Sequence, residues 1–230
     1  MSNSSLYVIK KDYTGESICD YLNSSLFGQV IFTVLPDKYI PEFIKTPFGF
    51  KESIIHDKTG RSFALTNTKV NECGNIADII CWELANQQIF FLKDKKIVSD
   101  SIRKFVEQNK TYDKSDDDGL SPLERDHIIK RFNEIADSIL ELDDTQYLYF
   151  AFKNTSCDDN VANWFYKYDK EDDEDPRYCS LKENIEAVNA EFVVIKNDKI
   201  TDFIQAKDFI SQFEDFIEQL EQSKIQGEYE

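Results

Sequence analysis

The sequence predicts an α+β fold, a mostly antiparallel sheet packed with amphipathic helices. Short runs rich in β-branched and aromatic residues recur along the chain. Between them lie segments whose apolar residues repeat at helical spacing. The chain has 230 residues, 41% of them hydrophobic, enough to bury roughly 70% of its unfolded surface without staples.

Leu6-Tyr7-Val8-Ile9 and Val30-Ile31-Phe32-Thr33-Val34-Leu35 have strand composition. Ser17 to Leu22, between them, is expected to be one short helix. Pro36, Pro41 and Pro47 punctuate an irregular stretch, and Arg61 to Thr66 alternates like a strand. Ile76, Ile79, Ile80 and Leu84 mark a helix. Ile89 to Leu92 is a buried strand that turns at Lys93-Asp94-Lys95-Lys96. A helix follows, with Ile102, Phe105 and Val106 inward.

Ser121-Pro122-Leu123-Glu124 combines a cap, a first-turn proline and the closing glutamate of a capping box. Ile128, Phe132, Ile135, Ile139 and Leu142 form the apolar face of the helix it opens. Tyr147 to Phe152 and Phe192 to Ile195 are strands, and Ser180 to Glu183 is a second capping box. Phe203, Phe209, Ile210, Phe213, Phe216, Ile217 and Leu220 make a wide stripe on a last helix.

One segment recurs. Ile89-Phe90-Phe91-Leu92-Lys93-Asp94-Lys95-Lys96-Ile97 is matched by Phe192-Val193-Val194-Ile195-Lys196-Asn197-Asp198-Lys199-Ile200, an offset of 103 residues. Each is expected to be a β-hairpin turning at its Asp or Asn, with a helix on either side. The repeat implies two related halves, or is a chance recurrence of a common motif.

Charge divides the chain more sharply. Residues 1–110 hold 14 Lys/Arg and 13 Asp/Glu, whereas residues 111–230 hold 13 and 31. The net charge of -17 therefore lies in the second half. The change falls at Tyr112 to Gly119, a polar stretch without apolar periodicity. It predicts a neutral half (1–111), an acidic linker (112–120) and an acidic half (121–230), which also fit one continuous domain. Such acidity excludes gripping a phosphate backbone by bulk electrostatics, so no direct nucleic-acid contact is expected.

Catalytic constellations are sparse. G-x-S-x-G, G-x-G-x-x-G and G-x-x-x-x-G-K-S/T motifs are absent. Glu124 and His127 form one E-x-x-H pair, whereas carboxylate bundles use it twice. Aligning Gly119 with the glycine of a calcium loop puts Lys114 and Arg125 at ligand positions, which excludes that motif. No catalytic residue, metal or cofactor is assigned. Cys19, Cys73, Cys81, Cys157 and Cys179 contain no C-x-x-C pair, and Cys81 has the neighbours of a buried small hydrophobe. The polar start predicts no cleaved leader, and no apolar run reaches membrane-spanning length. A cytoplasmic protein with free thiols is expected.

The strongest positive signal is acidic. Asp169, Glu171, Asp172, Asp173, Glu174 and Asp175 crowd seven positions, preceded by Asp158 and Asp159. Trp164, Phe165, Tyr166 and Tyr168 lie between. Aromatic anchors with a rim of one charge sign suit an interface with a basic partner. The candidate contact is Asp158, Asp159, Trp164, Tyr166, Asp169, Glu171, Asp172, Asp173, Glu174 and Asp175. The competing reading is structural, because Val161, Trp164, Phe165 and Tyr168 also fit an inward helical face.

Leu35-Pro36-Asp37-Lys38-Tyr39, with Phe43-Ile44 and Phe48-Gly49, resembles the "LP-x-x-Y…F" opening of the SUKH superfamily of immunity proteins. Phe213 to Ile217 is similar to their closing helix. The resemblance covers under a fifth of the chain and lacks the family's Asn-Gly-Gly turn. It implies a binding protein that neutralises a toxin. The expected function is a non-enzymatic inhibitor of a basic toxin, nuclease or nucleic-acid-binding protein, of immunity, antirestriction or DNA-mimic type. The alternatives are a metal-dependent hydrolase with scattered carboxylates and a subunit of a larger assembly.

Overall fold

Six strands form one mixed, mostly antiparallel sheet, the expected α+β class. A computed structural model describes residues 3–22, 25–40, 59–110, 126–154, 160–168 and 175–212. The strands are β1 (Asn3–Lys10), β2 (Gly15–Leu22), β3 (Ile89–Phe91), β4 (Tyr147–Lys153), β7 (Glu191–Lys196) and β8 (Lys199–Gln205), and across the sheet they run β2-β1-β4-β3-β7-β8. A separate two-stranded ribbon joins β5 (Tyr166–Lys167) to β6 (Arg177–Tyr178). The helices are α1 (Ser25–Tyr39), α2 (Arg61–Cys73), α3 (Ile76–Ala85), α4 (Lys95–Asn109), α5 (Asp126–Leu140) and α6, helical over 206–212.

Side-chain alternation sorts the sheet into two faces. Phe90, Phe150, Phe152, Val193 and Ile195 point into a core shared with α1, α3, α4 and α5. Their neighbours Ile89, Tyr149, Ala151 and Phe192 point the other way, onto Trp164, Phe165, Leu181 and Ile210. The sheet is thus covered by a helical layer on one side and by short turns plus α6 on the other. β1 and β3, from the neutral part of the sequence, flank β4 from the acidic part, so the charge boundary is no boundary in the sheet.

Three local expectations are corrected. Val30 to Leu35 belongs to helix α1, not a strand. Val30, Ile31, Phe32, Val34 and Leu35 are all buried, so burial outweighs the strand preference of β-branched residues. Ser17 to Leu22 is strand β2, paired with β1 through a tight turn in which Asp12 accepts from the Thr14 amide at 3.0 Å. Arg61 to Thr66 opens helix α2, whose buried stripe is Ser62, Thr66 and Val70. Two of those three are hydroxyl residues, which hydrophobic periodicity overlooks.

The repeat resolves unequally. Phe192 to Ile200 is the expected hairpin, with Asn197 and Asp198 both at positive φ. Ile89 to Ile97 is not a hairpin, because after Phe91 the chain enters a 3-10 turn and then α4. β3 and β7 pair in parallel, with Ile89 opposite Phe192 and Phe90 opposite Val193. The sequence offset of the repeat is therefore the register of the two strands.

The capping box at Ser180 forms, with the Ser180 amide donating to Glu183 at 3.0 Å, but leads only into a 3-10 turn at Ile185–Ala187. Phe203 lies on β8, while Phe209 and Ile210 pack from α6. The capping box at Ser121, the linker 112–120 and the stripe beyond residue 212 lie outside the described residues.

Candidate functional site

The ribbon places the chain's densest acidic run between two short aromatic strands. Tyr166 pairs with Tyr178 and Lys167 with Arg177, so residues 168–176 connect β5 to β6. The Tyr166 and Tyr178 rings meet edge to face at 5.8 Å. Tyr166, Tyr168 and Tyr178 are 48%, 58% and 48% exposed, an unusual display for three large aromatics in so short a segment. At the base of the ribbon lies a cleft of about 760 Å³ bordered by Trp164, Tyr166, Tyr168, Pro176 and Asn184.

Several contacts hold this region against the sheet. Asn160 caps the 3-10 turn Val161–Phe165 by accepting from the Ala162 amide at 3.1 Å. Buried Gln87 accepts from the amides of Asn154 and Val161 at 3.1 and 3.2 Å, clamping both sides of residues 155–159. Asn184 donates to the carbonyls of Asn163, Trp164 and Tyr166 at 3.1–3.3 Å, fixing the backbone along one wall of the cleft. The Tyr178 hydroxyl donates to the Gly15 carbonyl at 2.5 Å and accepts from its amide at 3.0 Å.

Two cations of the ribbon reach Glu183. Arg177 reaches Glu183 at 3.2 Å, and Lys167 donates to the Glu183 carbonyl at 3.3 Å. The Ser180 amide and the Arg177 guanidinium hold the Glu183 carboxyl below its usual range.

The predicted contact residues separate. Tyr166 is displayed, and Asp175 is exposed at the foot of β6. Trp164 is 3% exposed and sits in the core with Phe165, so it forms the floor rather than a surface anchor. Its Nε1 has no hydrogen-bond partner among the described residues. Asp158, Asp159, Asp169, Glu171, Asp172, Asp173 and Glu174 lie outside the described residues. Tyr178, Pro176 and Asn184 were missed. The mirrored pairs Tyr166-Lys167 and Arg177-Tyr178, on either side of one acidic run, were a readable signal for the ribbon.

Helix α3 carries two buried carboxylates. Asp78 is fully buried and accepts from Lys38 and Tyr39 at 2.6 Å and from Asn75 at 2.8 Å. Asn75 also caps α3, so this cluster locks the start of α3 to the end of α1. Glu83 is 3% exposed and accepts from Asn71 at 3.1 Å. Burial pushes its carboxyl up to about 8. Burial likewise raises the Cys81 thiol. Cys19, Cys73 and Cys81 are free thiols.

Among the described residues, no three His, Cys, Asp or Glu side chains gather where a metal ion could be held. Nor is any described helix long and apolar enough to cross a membrane. Comparison with protein families, with characterised proteins and with solved structures finds no match for this chain.

Proposed function

We propose that this chain is a non-enzymatic binding protein that occupies a basic surface of a partner, as immunity proteins and DNA-mimicking inhibitors of toxins and nucleases do. The observation that carries the reading is the ribbon. It displays three tyrosines around an acidic run, while its own Lys167 and Arg177 are engaged by Glu183. Exposed tyrosines supply contact area at low entropic cost, and clustered carboxylates steer a cationic partner into register. The Asn184 and Tyr178 bonds preorganise the base of the ribbon, which lowers the ordering cost of binding.

The test is affinity capture from the native cell at low and physiological salt. The bait is the wild type or a variant with Lys at Asp172, Asp173, Glu174 and Asp175. A cationic partner held by the wild type and lost by the variant is the expected result. Equal capture by both would overturn the reading.

A further inference from the structure

The cleft at the base of the ribbon is lined chiefly by rings. Tyr166, Tyr168 and Pro176 border it from the surface, and Trp164 borders it from the core. Its volume of about 760 Å³ lies within the range of ligand sites. Tyr166 is braced edge to face by Tyr178, whose hydroxyl is bonded to Gly15. The rings therefore stand in place before anything binds, which lowers the cost of association.

Trp164 supplies an independent observation. It is 3% exposed, yet its Nε1–H makes no hydrogen bond among the described residues. A buried indole N–H ordinarily finds a partner, as that of Trp82 does in Asn67 at 2.7 Å. Among the described side chains bordering the cleft, Trp164 alone has a buried polar atom left in this condition. Asn184 and Lys167 also border the cleft, but their nitrogens already donate to backbone carbonyls. The open donor is thus the indole, and it calls for a carbonyl.

Three properties of a proline-containing segment match this lining. Its rings lay apolar faces on aromatic ones without burying an N–H. It holds the polyproline II conformation before binding, so little ordering entropy is lost. That conformation has no internal hydrogen bonds and leaves its carbonyls free to accept. An ordinary extended strand would press N–H groups onto the same rings without partners. Charge narrows the occupant further. Residues 169–175, between Tyr168 and Pro176 in sequence, hold six Asp or Glu and one Lys, and Asp175 is exposed. A basic residue beside the prolines complements that sign.

We propose, resting on the reading of this chain as a binder of a basic partner, that the cleft takes a proline-containing basic segment of that partner in the polyproline II conformation. Proline rings pack against Tyr166 and Tyr168. One carbonyl of the segment accepts from Trp164 Nε1, and a Lys or Arg next to the prolines faces Asp175. Aromatic-lined grooves recognise such segments through this combination of flat rings and one or two fixed donors.

The test is NMR of the indole N–H groups in the full chain. It has two tryptophans, so Trp82, already bonded to Asn67, is an internal reference. The probes are the peptide Pro-Pro-Lys-Pro-Pro-Lys-Pro and, at equal charge, Ala-Ala-Lys-Ala-Ala-Lys-Ala. The proline peptide is expected to move the Trp164 indole proton downfield to saturation and to leave Trp82 in place, with the alanine peptide weaker by about tenfold. Tyr168 is 58% exposed, so Tyr168→Ala keeps the fold and should weaken the proline peptide by about tenfold. Trp164→Phe keeps a ring but loses the donor. Followed through the ribbon amides, its affinity should fall by about fivefold, with thermal unfolding confirming that it is folded. Equal binding of the two peptides, shifts that do not saturate, or full affinity in Tyr168→Ala would overturn the proposal. So would saturation by maltopentaose in place of either peptide, which would assign the rings to a saccharide. If neither peptide binds while partner capture still depends on residues 172–175, the proline proposal falls and the binding reading stands; equal capture by both baits overturns that reading itself.

Discussion

Gly15 and Tyr178, 163 residues apart, exchange two hydrogen bonds, with the tyrosine hydroxyl donating to the glycine carbonyl and accepting from its amide. The pair fastens the ribbon to the start of β2. It also explains the glycine. A Cβ at Gly15 would stand 2.1 Å from Cζ of Phe165, closer than any real contact. Backbone at this point must pass directly beneath an aromatic ring.

Gly15→Ala is therefore expected to destabilise the fold by about 1–3 kcal/mol, because Phe165 must move out of a packed core. Chemical denaturation measures this. Tyr178→Phe removes only the two hydrogen bonds and should cost less than Gly15→Ala while loosening the ribbon. Amide exchange at Arg177 and Tyr178 would report that loosening.

Glu83 makes stability depend on pH. Its carboxyl in the folded chain is raised from its ordinary 4.5 to about 8 by burial, with Asn71 opposing the rise and the Glu191 charge adding to it. A raised acid contributes its full stability below the unfolded pKa and loses it as pH climbs through the folded value. The wild type should lose on the order of a few kcal/mol between pH 4.5 and 8 from this group. Glu83→Gln should flatten that slope in denaturation curves measured across the window.

Trp164 separates size from hydrogen bonding. Trp164→Phe removes an unpartnered buried N–H and keeps most of the ring, so stability is expected to change by less than about 1 kcal/mol. Trp164→Ala opens a cavity beside Phe165 and should cost about 3–5 kcal/mol. Thermal melts of the two variants distinguish a floor residue from a surface anchor, whose truncation would barely move the melting temperature.

The β7–β8 turn tests its own geometry. Asn197 and Asp198 have φ of 51° and 57°, as a type I′ turn requires. Asp198→Gly should stabilise the chain by about 0.5 kcal/mol, since glycine enters that region without steric cost. An unchanged or lower denaturation midpoint would contradict this.

Association through the ribbon should be fast and sensitive to salt. Raising ionic strength from low to physiological should slow it by about tenfold, with dissociation nearly unchanged. Surface-resonance kinetics with the captured partner would measure both rates.

Sequence alone determined the fold class, the helices α3, α4 and α5, the strands β1, β3, β4 and β7, and the place where acidity concentrates. These elements have strong periodicity, and their burial follows from their own residues. Tertiary structure decided the rest. Val30 to Leu35 became helical because the surrounding core buries nearly every side of it, which outweighs local preference. The stripe of Ser62, Thr66 and Val70 was invisible because Thr66 meets its hydrogen-bonding need internally, donating to the Ser62 carbonyl at 2.8 Å. Trp164 and Tyr166 have similar local sequence surroundings, yet one is floor and the other is displayed. Which face of a short turn meets the sheet depends on partners far along the chain, such as Gln87, Gly15 and Asn184, and no local pattern encodes those.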